Sequence, residues 1–290
     1  MSPVGQSFTH RQYMIHSSFE FFHYRDDPEL QVEFHNHDFY EIYLFLSGKV
    51  TYIIEGKSYS LKPNDILLVN NKEIHKPIIE RGGIYERIVI WVKPEFIKSL
   101  CTHECDLLTC FESTSKNKYN LLRPDVEMSG IIKGIITKLS KAYKSAAFGD
   151  NILREYYMAE LIVYLNRAYL ENHINDIEDD VIYDKKINEI LHYINLNLHE
   201  NLSLEALSTR FYTSKYHLLR QFKKHTGYTL HNYIHQKRLI TAKTLLKEGA
   251  RISDVCQECG FNDYSNFIRS FSKAFHISPK KYAKQFSKVE

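Results

Sequence analysis

The chain has 290 residues, 43% of them hydrophobic and 25% charged, which suits a globular protein with room for two separately cored domains. It shows no charged-then-apolar leader and no apolar run long enough to cross a bilayer, so a cytoplasmic protein with no membrane partner is expected. Five cysteines in a chain of this length do not make a secreted disulfide framework.

The formal net charge of +3 is unevenly divided. Lys185 to Glu290 holds 18 Lys and Arg against 8 Asp and Glu, whereas the residues before it hold 20 against 27. The basic portion is a candidate nucleic-acid surface, although a solvated lysine-rich face has the same charge signature.

Residues from about 18 to 95 alternate apolar and polar in short runs broken by turn signals. Glu41 to Leu46 runs into Ser47-Gly48, Val50 to Ile54 into Glu55-Gly56, and Tyr59 to Leu61 into Pro63-Asn64-Asp65. Ile66 to Val69 follows, and Tyr85 to Val92 closes the set. Strands at this spacing predict a small antiparallel barrel or sandwich over residues 1–95.

From Pro94 the period lengthens. Ile131 to Leu139 and Leu153 to Leu170 read as amphipathic helices, the second with Tyr157, Leu161, Tyr164, Leu165 and Ala168 on its apolar face. Residues 96–174 are therefore a helical segment whose apolar faces suit a dimer contact or, equally, packing on the barrel. Residues 175–184 are acidic and poor in core formers, which predicts a linker. Cys101, Cys105, Cys110, Cys256 and Cys259 read as small buried residues rather than a redox or zinc site.

Residues 185–290 are helical in pattern almost throughout. Ile187, Ile190, Leu191, Ile194 and Leu198 share one helix face. Ser203 is a plausible cap for the next helix, and after a turn at Tyr212-Thr213 Ser214 caps another. There Leu218 and Phe222 face inward, which leaves Tyr216, Leu219 and Arg220 to project outward and Lys223 and Lys224 to meet phosphates.

The pattern then repeats about 49 positions later: Leu218 answers Phe267, Arg220 answers Arg269, Phe222 answers Phe271, and Tyr233 answers Tyr282. Ser253 is the expected cap, Val255 and Cys256 pack, Gly260-Phe261 turns, and Asp263 caps a second helix. That helix leaves Tyr264, Ser265, Ile268 and Arg269 outward, with Lys273 in the place of Lys224. Arg238 to Leu246 forms a helix between the copies, and Ser278-Pro279 starts a last one. Each copy has the layout of a helix-turn-helix.

Residues from about Lys185 to Lys284 resemble the paired helix-turn-helix domain of the AraC/XylS family of bacterial transcription regulators. The resemblance runs through Arg238-Leu239, Ala242, Leu245, Ile252-Ser253-Asp254-Val255-Cys256, Gly260-Phe261, Phe267, Phe271, Lys273, Phe275, Ser278-Pro279 and Tyr282. His276 stands where the family usually has Gly, at a position that often ends a helix in the left-handed conformation. The resemblance implies two recognition helices that enter major grooves on one face of double-stranded DNA. The readers would be Tyr216, Leu219, Arg220, Tyr264, Ser265, Ile268 and Arg269, with Lys223, Lys224 and Lys273 on the backbone. Arginine matches guanine O6 and N7, but either Arg could instead bind phosphate, and Leu219 and Ile268 could pack between helices rather than touch thymine methyls.

In the N-terminal half, His35-Asn36-His37, Glu41 and Gly48 have the spacing of the first cupin motif, and His75 falls where the second motif places its histidine. Glu29 stands in place of an expected Gly, and Asn70-Asn71-Lys72 replaces a Pro-x-Gly turn. His35, His37, Glu41 and His75 are ligand types that suit a transition metal. Regulators with this architecture keep such histidines without a known metal role, so the reading adopted is hydrogen bonding to a small-molecule effector, with no cofactor expected. Histidines satisfied within the fold are an equal alternative. Tyr43 and Trp91 are candidates for the same cavity by strand alternation.

The sequence thus predicts a two-domain α+β protein: an N-terminal cupin-like β-barrel with following helices and a C-terminal all-α double helix-turn-helix. The expected function is a sequence-specific, effector-responsive transcription regulator, not an enzyme, with a sugar as one effector candidate. A homodimer and a contact to RNA polymerase are further expectations. The alternatives are a metal-dependent cupin enzyme with an accessory DNA-binding tail and an architectural binder that uses only phosphate contacts.

Overall fold

The short β-branched and aromatic runs of the first ninety residues do form strands, and what covers each face explains their burial. The computed structural model describes residues 13–15, 18–26, 32–112, 119–171 and 177–286, and it divides into two units, Met1–Ile182 and Tyr183–Glu290. The first unit has strands β1 (Phe19–Asp26), β2 (Tyr40–Ser47), β3 (Val50–Ile54), β4 (Lys57–Ser60), β5 (Ile66–Val69), β6 (His75–Ile79), β7 (Tyr85–Val92), β8 (Leu121–Leu122) and β9 (Val181–Ile182). They make two antiparallel sheets, ordered β1-β7-β2-β5-β8 and β6-β3-β4-β9. The expected barrel therefore takes the form of two sheets, with no ladder closing them among the described residues. Glu55 and Gly56 have φ of 47° and 77°, the doubly positive turn that suits the tight β3–β4 hairpin.

Helices α1 (Pro94–Leu100), α2 (Thr109–Glu112), α3 (Val126–Lys144) and α4 (Asp150–Glu171) complete the unit. Ile42 and Leu44 of β2, with Ile90 and Val92 of β7, share a core with Ile132, Ile135, Ile136 and Leu139 of α3 and Leu161, Leu165 and Ala168 of α4. Tyr43 and Phe45, on the opposite face of β2, join Tyr52, Tyr59, Val89 and Trp91 in a second core. Tyr40 to Phe45 are consequently all buried, as expected of a strand covered on both faces. The apolar faces of α3 and α4 are spent inside this unit, which takes that side of the helices out of the pool for a dimer contact.

The acidic stretch 175–184 is not a free linker over the part described; residues 175 and 176 lie outside the described residues. Ile177 is fully buried, Glu178–Asp180 form a 3-10 turn, and Val181 and Ile182 pair with Tyr59 and Ser58 at the edge of the second sheet. Ion pairing explains how so acidic a segment settles there. Arg123 grips the buried Asp65 carboxylate through Nε and Nη2, both at 2.8 Å, and reaches Asp180 through Nη1 at 2.7 Å. Lys62 also binds Asp180. Sequence periodicity missed this because the apolar content of 175–184 is only Ile177, Val181, Ile182 and Tyr183.

The second unit has α5 (Lys185–Leu196), α6 (Leu204–Arg210), α7 (Lys215–Thr226), α8 (Leu230–Lys247), α9 (Ile252–Glu258), α10 (Tyr264–Phe275) and α11 (Pro279–Phe286). Asp184, Ser203, Ser214, Thr229 and Asp263 cap α5, α6, α7, α8 and α10 through their side chains. Ser253 does not cap: α9 starts at Ile252 after Arg251, and the Ser253 hydroxyl donates to Asp254 at 2.9 Å. Cys110, Cys256 and Cys259 are buried as expected, but Cys105 is exposed and Cys101 is partly so, because the 101–105 loop lies at the surface. Gly260 (φ +73°) sits so close to the end of α5 that a Cβ there would lie 2.2 Å from the Leu198 carbonyl oxygen. Arg238 of α8 donates to that carbonyl and to the Glu200 carbonyl, each at 3.0 Å. The second copy's turn and the connecting helix thus both meet the end of the first copy's leading helix.

Removing the Arg123 guanidinium leaves the Asp65 carboxylate buried without its charge partner. Arg123→Ala is expected to destabilise the first unit by about 3 kcal/mol in chemical denaturation. His276 ends α10 at φ 56°, ψ 20°, a left-handed position that a glycine holds without steric cost. His276→Gly is expected to stabilise the second unit by about 1 kcal/mol in the same measurement.

Candidate functional site

Two strands and one loop place the polar residues of the first unit. Residue 35 pairs with residue 75 through reciprocal backbone hydrogen bonds of 3.1 and 3.0 Å, which docks the segment before β2 on the start of β6. His35 and His37, two apart on that segment, and His75 thereby come together: the His35–His75 and His37–His75 ring centroids are 4.3 and 4.9 Å apart. A ring nitrogen of each lies within 4.8 Å of the other two.

All three rings have one nitrogen committed to the backbone. Nδ1 of His35, His37 and His75 lies 2.9, 2.8 and 3.0 Å from the carbonyls of Glu33, Phe39 and Glu73. A carbonyl can only accept, so each Nδ1 carries a proton, and in a neutral ring Nε2 is then a lone pair. The Nε2 atoms of His37 and His75 are buried without a hydrogen-bond partner.

Glu41 enters from β2, with Oε2 at 3.6 Å from His37 Nε2. Both of its oxygens accept hydrogen bonds, from Trp91 Nε1 at 3.0 Å and from the Tyr52 hydroxyl at 3.1 Å. Trp91 stands opposite Glu41 on the neighbouring strand β7, as the register dictates. Tyr43 lies on the same inward face but does not reach the histidines; its hydroxyl bonds that of Tyr85 at 2.6 Å, and its ring is 5.1 Å from Tyr52.

Burial opposes the Glu41 charge, but His37, then His75 and His35, outweigh it and hold the carboxyl down to about 2. Burial lowers the His35 and His75 pKa values, the latter well below the ordinary range with help from the neighbouring imidazoles. Burial also raises the Tyr43 and Tyr52 phenols well above their usual value and Tyr85 to about 12. The interior thus favours an ionised Glu41 beside His35 and His75, whose charged forms burial disfavours, and beside phenols that stay protonated. His35, His37 and His75 are the residues able to hold a metal here.

The sequence reading missed Tyr52, Tyr85 and Arg87. Tyr85, Arg87, Val89 and Trp91 fall at a period of two on β7, a signal that would have placed them inward with Trp91. Arg87 is buried, pairs with Asp26 at 2.5 Å and lies 4.0 Å from the Tyr85 ring centroid. Glu29 lies outside the described residues. At the replaced Pro-x-Gly turn, Asn70 closes the loop itself, its side-chain oxygen accepting from Lys72 N at 2.8 Å and its backbone N donating to Glu73 at 2.7 Å.

In the second unit, α7 buries Leu218 and Phe222, and α10 buries Phe267 and Phe271. The other faces carry the expected readers: Tyr216, Leu219, Arg220, Lys223, Lys224, Tyr264, Ser265, Arg269 and Lys273 are all exposed. Ile268 is only partly so and packs against the second copy's core, which favours its packing role over a methyl contact. Arg220 and Arg269 occupy equivalent, solvent-facing positions on two side-chain-capped helices.

A family model described as an AraC-like ligand binding domain matches residues 19–162, and one described as a helix-turn-helix domain matches residues 207–285. The HTH-type transcriptional activator RhaS of Salmonella arizonae is 24% identical over 261 residues, covering 87% of this chain and 88% of its own. RhaS of Salmonella schwarzengrund is 23% identical over the same shares. Among solved structures, an apo form of ToxT from Vibrio cholerae is 15% identical, covering 94% of this chain and 99% of its own, with a TM-score of 0.39. The C-terminal domain of the response regulator yesN from Fusobacterium nucleatum is 29% identical over 34% of this chain and 99% of its own, with a TM-score of 0.33. The curated relatives are regulators, so the reading as a metal-dependent cupin enzyme with a DNA-binding tail is unsupported. With a ligand-binding domain followed by a DNA-binding helix-turn-helix domain, the chain belongs to the AraC family of transcription regulators.

Proposed function

We propose that this regulator reads promoter DNA with α7 and α10 and that an effector held in the interior of the first unit sets how it does so. The observation that carries the first part is the equivalence of Arg220 and Arg269 on two capped helices whose opposite faces are buried. Each arginine reads a base, with Tyr216, Leu219, Tyr264 and Ser265 beside it, while Lys223, Lys224 and Lys273 bind phosphates. The effector site is His35, His37, Glu41, His75 and Trp91, with Tyr43 one layer further in. A small polar molecule, a sugar among the candidates, suits such a convergence of donors and acceptors. It acts by population shift, so it must bind one DNA-binding state more tightly than the other.

The RhaS relatives are named as activators. By that likeness we assign activation, with RNA polymerase as the further partner, and the cytoplasm as the place of action. We also assign a homodimer. Its interface is the outward side of α4, where Ile152 and Tyr156, four residues apart, are exposed apolar side chains.

In vitro selection of sites from random DNA is expected to give two blocks about one helical turn apart. Arg220→Ala and Arg269→Ala should each cost about 1–3 kcal/mol and relax preference at one base position. Lys223→Ala or Lys224→Ala should instead weaken all sequences alike and lower the salt slope by about 1. Uniform weakening by the arginine variants would return the protein to the phosphate-only reading.

For the dimer, sedimentation at micromolar concentration should show a dimer that Ile152→Glu and Tyr156→Glu convert to monomer. A wild-type monomer would remove the dimer reading.

A further inference from the structure

We propose that His35, His37 and His75 bind a divalent transition-metal ion, with Glu41 as a charge partner held outside the coordination sphere. The inference names the inorganic part of what the first unit's interior takes, and so rests on reading that interior as a ligand site. Three observations carry it. First, three imidazoles from two segments have a ring nitrogen within 4.8 Å of one another. Second, each has its Nδ1 fixed by a backbone carbonyl, the arrangement that aligns a ligating imidazole and leaves Nε2 as its donor lone pair. Third, the Nε2 atoms of His37 and His75 are buried without a hydrogen-bond partner, a cost that an ion would remove.

Ligand nitrogens at about 2.0–2.1 Å from a tetrahedral ion are about 3.4 Å apart, so closure draws the rings in by about 1 Å. Neutral imidazoles favour zinc, copper, nickel, cobalt or iron over magnesium or calcium. Glu41 does not complete a four-ligand set in this geometry. Trp91 and Tyr52 each take one carboxylate oxygen, and the nearest imidazole nitrogen, on His37, is 3.6 Å away. Its negative charge still faces the site and offsets the ion's charge. Three protein ligands leave at least one position for water or an oxygen of an effector.

The test uses the full-length chain, stripped with chelator and titrated with Co²⁺, Ni²⁺ and Zn²⁺. Trp91 is the only tryptophan, 6.5 Å from the His37 ring, and so reports the site without any substitution. Expected are one ion per chain by elemental analysis, quenching of Trp91 fluorescence by Co²⁺ and Ni²⁺ that saturates at one equivalent, and competition by Zn²⁺. His35→Ala, whose side chain is only partly buried, and His75→Ala should lose the ion while circular dichroism stays native. Glu41→Gln should keep one ion per chain at about 10–100-fold lower affinity.

Substoichiometric metal in the wild type overturns the site. So does quenching unchanged in the folded His35→Ala variant, or loss of binding in a His231→Ala, His235→Ala control. Complete loss in a folded Glu41→Gln chain overturns the outer placement of that carboxylate. Operator affinity measured on the same samples separates the two readings. An ion that binds while DNA affinity never responds to any pocket occupant keeps the metal site and removes the sensing role. A response to an organic effector with no ion bound does the reverse.

Discussion

Strand β2 must satisfy two interiors at once, and the first unit is arranged around that constraint. Side chains of a strand alternate between faces, so Ile42 and Leu44 go to the helices α3 and α4 while Glu41, Tyr43 and Phe45 go to the space between the sheets. A slip of one residue would exchange the two sets and drive Glu41 into the aliphatic core beneath the helices. The register against β7, with Glu41 opposite Trp91, therefore fixes both the packing of the helical layer and the placement of the carboxylate.

The two interiors differ in kind. The helical side is aliphatic and needs only shape to be satisfied. The inner side carries imidazoles, phenols, an indole and an ionised carboxylate, each of which needs a partner because the surroundings do not screen it. Most find one: Glu41 with Trp91 and Tyr52, Tyr43 with Tyr85, Arg87 with Asp26. Nε2 of His37 and Nε2 of His75, both buried with no hydrogen-bond partner, lie in one cluster of rings.

Much of this was legible in the chain, for reasons that differ between its halves. The helical repeat is local: caps at Ser203, Ser214 and Asp263 and inward pairs four apart identify each recognition helix without knowledge of its neighbours. The strands 50–54, 66–69 and 85–92 were likewise bounded by their own turn residues. What escaped depends on distant partners. Val181-Ile182 is a strand only because Ser58 and Tyr59 await it, and Asp180 settles there because Arg123 and Lys62 do. Tyr52 became a site residue through its bond to Glu41 on another strand, which no periodicity within its own segment reveals. Ser253 failed as a cap because α9 starts at Ile252, two residues earlier than its hydroxyl could serve.

The edge pairing at β9 also changes how the chain between the units should be pictured. Ile182 is still a strand residue, and Asp184 already caps α5, so Tyr183 alone belongs to neither element. One extended residue spans about 3.5 Å. A flexible ten-residue spacer would instead have let its ends wander about 17 Å apart on average. The covalent connection between the last strand of the first unit and the cap of the first helix of the second is thus a single residue, with almost no configurational entropy of its own.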